Sequence, residues 1–342
     1  MRDEERKLPP FLSSLIPHPS SLPKMPPRRI PGKKLLKMLL PILGLLFLAV
    51  VITMIWLVYK VTRPPQKAYL VTPETFTLLS ERALKTTNEE WPNHDGTKAR
   101  GWLLRGTPGS PAVILLHPYG KDRSWLFNLG VKLNETTNFT VLWPDLRGHG
   151  QDPLVSWTSF GGRETDDLAA AIEFLHSLKV QDAPLVGGPY GVYGVELGAY
   201  AALREGARNK EVRALVLDSV PAEPSDVLNA AVQERTGLSN NFLKWLARGG
   251  VRIYFLGSYD NTPSCEAAKA VGDRRVLLLA GEDAPDLRVS TASLRQCLPQ
   301  GIEVNTDLHL SGYNLPFAQG EQGEAYDRRV IDFFDKALHA GP

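Results

Sequence analysis

Cysteine is nearly missing from this chain of 342 residues, which has only Cys265 and Cys297. No Cys/His cluster with zinc spacing can be assembled around them, and no P-loop and no GxGxxG in strand-to-helix context occurs. Structural-metal and nucleotide-binding readings therefore lack support, and no cofactor is expected. Excess charge is missing too. Lys and Arg number 39 against 37 Asp and Glu, a balance that argues against a nucleic-acid partner. Apolar residues at 43% and charged residues at 22% are ordinary for a globular chain and exclude collagenous, coiled-coil and wholly disordered architectures.

The most informative absence is local. Met38 to Tyr59 is a run of 22 residues without a charge, with Lys33, Lys34 and Lys37 before it and Lys60 and Arg63 after it. That is enough to cross the hydrocarbon core of a bilayer as a helix. A cleaved signal peptide has a shorter apolar region and a small-residue cleavage site, whereas this run ends in Trp56, Leu57 and Tyr59. The expectation is an uncleaved transmembrane helix over 35–60, with the lipid bilayer as partner of residues 38–59. Met1 to Lys37 carries nine basic and three acidic residues, which leaves the remainder at net −4. Positive charge on the N-terminal side places a basic, Pro-rich and disordered arm, 1–34, in the cytoplasm and the C-terminal bulk outside it. Met25, just before the basic cluster, is a second candidate start of translation.

After a linker over 61–68, one domain is expected to fill 69–342. Short apolar runs at 111–117, 139–145, 188–194, 212–218, 274–281 and 302–310 suit strands buried on both faces, as in a parallel sheet covered by helices. Leu168, Ile172, Leu175 and Leu178 fall on one helical face, as do Tyr326, Val330, Phe334 and Leu338. Asp95-Gly96 ahead of Ala99 to Gly106 predicts a hairpin. The class is α/β with helices on both faces.

Three turns carry a resemblance. His117-Pro118-Tyr119-Gly120 is similar to an oxyanion turn, Asp145-Leu146-Arg147-Gly148-His149-Gly150 to a DxRGxG loop, and Gly194-Val195-Glu196-Leu197-Gly198 to a nucleophile elbow between strand and helix. In this order the chain resembles the α/β-hydrolase superfamily from about Tyr69 to Ala340. The resemblance implies a mostly parallel sheet with a small cap over about 221–262. It also implies oxyanion donors on the backbone of Tyr119 and Leu197 in a site that includes His117.

The resemblance breaks at the chemistry. The nucleophile position holds Glu196, one methylene longer than the Asp some members use there, so a retained turn without a nucleophile is favoured. The base position falls on Tyr313, whose phenol is mostly protonated near neutral pH. His309 is the nearest imidazole, and strand alternation puts it before the loop. The acid position counts to Ala284, leaving Asp283 after a one-residue shift, or Asp218 at the end of the preceding strand.

Two functions follow. The favoured one is a membrane-anchored, catalytically degenerate hydrolase-fold protein that binds an unknown small molecule under the cap or a protein partner. The other is an active hydrolase of ester, peptide or related acyl substrates. Cys265 and Cys297 are expected on two helices flanking 274–281, as a disulfide in an oxidising compartment or as two separately buried thiols.

Overall fold

The computed structural model describes residues 32–80, 85–299, 302–318 and 320–339, so the arm expected over 1–34 lies outside the described residues up to Pro31. The chain divides into two units, Met1–Val51 and Ile52–Pro342. What is described of the first is the leading part of helix α1 (Gly32–Thr62), where Leu45 and Phe47 are 67% and 71% exposed. Among the described residues one helix, Leu36–Thr62 with mean hydropathy 2.8, is long and apolar enough to cross a membrane.

The second unit begins inside that helix. Leu57, Val58 and Val61 are buried in the core, so the last turns of α1 belong to the packed domain. Short helix α2 (Pro73–Ser80) follows, then β1 (Thr86–Pro92) and β2 (Lys98–Leu104) as an antiparallel hairpin turning at Asp95-Gly96. Then come β3 (Ser110–Leu116), α3 (Phe127–Thr137), β4 (Thr140–Pro144) and α4 (Gly162–Ser177). A two-residue ladder, β5 (Lys179–Val180) with β6 (Ala183–Pro184), precedes β7 (Val186–Val195), α5 (Leu197–Arg208) and β8 (Val212–Asp218). Helices α6 (Pro224–Thr236) and α7 (Asn241–Phe255) occupy the stretch expected as a cap. The chain closes with α8 (Ser264–Lys269), β9 (Arg275–Gly281), α9 (Pro285–Leu294), β10 (Glu303–Leu308) and α10 (Glu321–His339).

The eight-stranded sheet runs β1-β2-β4-β3-β7-β8-β9-β10. From β4 to β10 the pairing is parallel, and β1 and β2 are antiparallel at the edge. Strand alternation sorts the core into two layers. Ala112, Ile114 and Leu116 face α4, α5 and the cap, while Val113 and Leu115 face α3 and α10. Both faces of β3 are therefore dry, which is why its sequence reads as a continuous apolar run. The four α10 positions read from the sequence, Tyr326, Val330, Phe334 and Leu338, are all buried.

Cys265 and Cys297 are joined in a disulfide. Cys265 lies on α8 as expected, but Cys297 lies beyond the end of α9, in the turn after Leu294. The pattern of residues 285–298 does not show where the last helical turn loosens.

Candidate active site

Strand β7 ends at Val195, helix α5 starts at Leu197, and the residue between them, Glu196, has φ +50° and ψ −106°. That backbone is sparsely populated for a side-chain-bearing residue and persists only where its surroundings hold it. Here the Glu196 N–H donates to the Asp218 carbonyl at 3.0 Å and its own carbonyl accepts from the Tyr200 N–H at 2.9 Å. The flanking glycines let strand and helix converge. A Cβ on Gly194 would lie 2.4 Å from the Gly198 backbone, and one on Gly198 would lie 2.4 Å from the Leu116 carbonyl oxygen.

The Glu196 carboxylate takes the two backbone donors that the sequence led us to expect for an oxyanion. Its Oε2 accepts the Tyr119 N–H at 2.9 Å, and the Leu197 N–H is a second backbone donor acting on it. The two amides expected as oxyanion donors thus converge on the side chain at the elbow itself. Glu196 is 5% exposed. Burial is the largest influence on its carboxyl and pushes it up from 4.5 to about 7, against the opposing pull of the Tyr119 amide.

Tyr119 is held from behind. Its hydroxyl donates to the Val61 carbonyl at 2.7 Å, its ring stacks on Phe160 at 5.7 Å, and the edge of His149 meets it at 5.5 Å. The last turn of α1 therefore fixes the residue whose amide serves the elbow. The Thr62 carbonyl accepts the Thr158 N–H at 2.8 Å in the same region.

His117 is fully buried and binds loops together. Its Nε2 accepts the Leu146 N–H at 3.0 Å, so Nδ1 carries the proton and donates to the Pro118 carbonyl at 2.9 Å. Burial lowers it to about 4, and the same cause lowers neighbouring His149 to about 3. Both imidazoles are neutral near pH 7, and neither lines the cavity described below.

Tyr313 is the residue expected at the base position. Its ring is partly buried, its backbone carbonyl accepts the Trp125 indole N–H at 3.0 Å, and the Lys121 ammonium sits 5.5 Å from the ring centroid. Burial first, and the Glu196 carboxylate second, raise its phenol above the ordinary value of 10. His309 lies outside, 2.9 Å from Glu282, with both side chains exposed.

Both candidate acids hold the loop that carries Tyr313. Asp218, wholly buried, accepts the Gly312 N–H at 2.9 Å and the Ser219 hydroxyl at 2.7 Å, and it accepts the Tyr326 hydroxyl as well. Asp283 accepts the Ser311 N–H at 2.9 Å, the Ser311 hydroxyl at 3.0 Å and the Asn314 amide at 2.7 Å. Burial pushes Asp218 up to about 6.

A cavity of about 740 Å³ opens above the elbow beneath α6, with Glu196, Tyr313 and Asp283 on its floor and Asp226, Asn229 and Lys244 on the cap side. Among the described residues no group of His, Cys, Asp and Glu is placed to hold a metal ion.

No protein-family model and no curated protein sequence matches the chain. Solved structures do match. An esterase from Pyrococcus furiosus superposes with a TM-score of 0.60 at 18% identity, over 81% of this chain and 98% of its own. An α/β hydrolase from Penicillium sp. sh18 gives 0.55 at 16% identity, over 75% and 100%. The acylaminoacyl peptidase of Pyrococcus horikoshii gives 0.57 at 13% identity, over 78% of this chain and 44% of that one. The chain has the α/β-hydrolase fold.

Proposed function

We infer that this protein is a membrane-anchored α/β-hydrolase-fold protein that binds a ligand at the former catalytic corner without turning it over. The observation that carries the reading is the Glu196 carboxylate seated on the Tyr119 amide. An acyl substrate is activated when its carbonyl oxygen takes the backbone donors as charge develops. At this elbow those donors are engaged by a carboxylate attached to the turn. An incoming carbonyl has to displace it, and the developing oxyanion would form beside a second negative charge whenever Glu196 is ionised. Tyr313 adds no base, because its phenol stays protonated near neutral pH. What remains is a pocket walled by the cap, open to a small molecule or a segment of a protein partner.

The test is labelling of the full chain with a serine-directed fluorophosphonate, together with turnover of simple acyl esters. Neither labelling nor turnover is expected. Stoichiometric labelling, or turnover that survives Glu196→Ala, would place the catalytic centre elsewhere. A second reading, an active hydrolase of ester, peptide or related acyl substrates, draws support from the esterases and peptidase that share the fold and from a carboxyl near 7 open to the cavity. It requires ester turnover that Glu196→Ala abolishes.

The membrane part of the inference rests on the apolar helix Leu36–Thr62 and on Lys33, Lys34 and Lys37 before it, which favour an N-terminus in the cytoplasm and a domain outside. Protease added to intact spheroplasts should digest the domain, and protection would reverse the orientation.

A further inference from the structure

Helix α7 has two apolar faces. Leu246, Ala247, Gly250, Val251 and Phe255 are buried against the domain. On the opposite face Phe242, Trp245, Ile253 and, at the helix end, Leu256 are 52%, 62%, 62% and 85% exposed. With Gly249 between them these positions recur at helical spacing, so they form a stripe along one side. Lys244, Arg248 and Arg252 run beside it at intervals of four, and α7 contains no acidic residue. An outward apolar stripe on a surface helix needs something to cover it.

The fold indicates what covers it. Gly250 of α7 lies against the last turns of α1, where an added Cβ would be 2.6 Å from Val58 and 2.8 Å from Met54. These positions sit one to two turns before Thr62, roughly 6–12 Å back along the helix axis. A hydrocarbon core takes about 20 residues of helix, so a span starting after Lys37 ends near Leu57. The exposed Trp56 and Tyr59, with the Arg63 guanidinium 4.2 Å from the Tyr59 ring centroid, mark the aromatic and cationic boundary there. Helix α7 therefore packs on the stretch of α1, Met54 to Val58, at which a span of that length would end. A trough of about 300 Å³ between it and α1, lined by Met54, Val58, Tyr59, Ile253 and Tyr254, opens at the same level.

We propose that α7 is an interfacial helix: its outer stripe, Phe242, Trp245, Ile253 and Leu256, beds into the bilayer surface while Lys244, Arg248 and Arg252 engage anionic headgroups, which places the cap and the pocket beneath it against the membrane. The proposal rests on the reading of α1 as a membrane span. It fits the physics of a helix lying in the plane of an interface, with apolar area buried below and cations paired with lipid phosphates beside it.

The experiment uses the full chain in bilayers of phosphatidylglycerol and phosphatidylcholine. Because the two native cysteines are bridged, single cysteines introduced as Phe47→Cys, Ile253→Cys, Leu256→Cys and Leu154→Cys each take one nitroxide. Collision with oxygen against a water-soluble nickel chelate reads depth. Phe47 is expected deep in lipid, Ile253 and Leu256 at the interface, and Leu154 in water. Combined reversal as Lys244→Glu, Arg248→Glu and Arg252→Glu should lower the ratio of immersed to free label at Ile253 by about fivefold per charge on anionic bilayers. Phe47 in lipid with Ile253 and Leu256 in water would overturn the proposal and leave the anchor standing. Phe47 in water would overturn the anchor itself. Labels shielded from both probes would show a protein surface, such as a second copy, in place of lipid, and an immersion indifferent to charge reversal would overturn the role of the basic stripe.

Discussion

Two motif loops at the same edge of the sheet are built differently. The loop from Asp145 to Gly150 is held by a network of buried charges and hydrogen bonds. Asp145 accepts the Arg123 N–H at 3.0 Å and the Tyr69 hydroxyl at 2.8 Å, and it pairs with the side chains of Arg123 at 3.3 Å and Arg100 at 3.6 Å. Arg147 donates to Asp167 at 2.6 Å and to Asp95 at 3.1 Å. Gly150 leaves room for the arrangement, since a Cβ there would lie 2.3 Å from the Asp145 carboxylate. The turn at Glu196 has two close-packed glycines and a positive φ, and it carries a carboxylate that accepts the Tyr119 amide. Frame and chemistry are thus separable. A buried charge network fails as a unit if one member goes, whereas the turn at Glu196 is set by backbone hydrogen bonds and close-packed glycines that do not depend on its side chain.

The comparison breaks most visibly on the frame side. Asp145→Ala strips the buried Arg123, 3% exposed, of its counter-charge, and removing one partner of a buried pair costs up to about 5 kcal/mol. A large drop in the urea midpoint is expected, whereas Glu196→Ala at pH 8 should leave it unchanged or higher. Equal losses at both positions would show that the elbow carboxylate is also part of the frame.

The disulfide offers a second, slightly smaller test of the frame. Its cysteines are 32 residues apart, so replacing both as Cys265→Ser and Cys297→Ser should cost about 3–4 kcal/mol through loop entropy in the unfolded chain. It ties α8 to the segment after α9, and the loss should appear as a lower urea midpoint.

On the elbow side the expected effect depends on pH. Glu196 titrates at about 7 when folded against 4.5 in its ordinary state, so between those values the native state holds a proton that the unfolded chain has lost. The contribution to stability is present in full below 4.5 and is lost as pH rises through 7, about 3 kcal/mol in total. Glu196→Gln removes the dependence. The variant should be more stable than the parent at pH 8, with the gap closing toward pH 5. Asp218 and Asp167, each pushed up to about 6 mainly by burial, titrate in both proteins and cancel in the difference. A gap constant with pH would mean that Glu196 stays ionised, with the two amides outweighing burial.

The same division governs what the sequence made legible. The parallel strands could be read because two-sided burial leaves an apolar run, and β8 lies at 212–218 as read. The positions of Glu196 and Tyr313 followed from motif order, and both line one cavity. Two things were hidden. The docking of α1 was masked by composition, since Leu57, Val58 and Val61 look the same whether lipid or a protein core covers them. The seating of Glu196 on the Tyr119 amide was hidden because spacing locates a backbone turn but not the side-chain torsions that decide where a longer carboxylate ends. A continued apolar position at Val61, between Lys60 and Thr62, was the one available hint that the helix runs on into the domain.

The smallest expected effect comes from installing a serine–histidine pair. Glu196→Ser with Tyr313→His supplies a hydroxyl at the strained turn and an imidazole on the same cavity wall, and removing the Glu196 carboxylate frees the Tyr119 and Leu197 amides for a substrate oxygen. An acid must still orient the imidazole. Asp218 and Asp283 are both committed to the loop that would carry that histidine, through the amides of Gly312 and Ser311. Each can accept a further hydrogen bond only by sharing an oxygen already in use. The double variant should therefore gain about 100-fold or less in ester hydrolysis over the parent, far below the roughly 10⁶ lost when a working triad is removed. Adding Asp218→Asn or Asp283→Asn then discriminates the acids: the one in use removes the gain, while the other changes stability with the rate intact. A gain approaching a full triad would mean that Asp218 or Asp283 can orient the new imidazole without leaving the loop it holds, and that the corner has the geometry for catalysis.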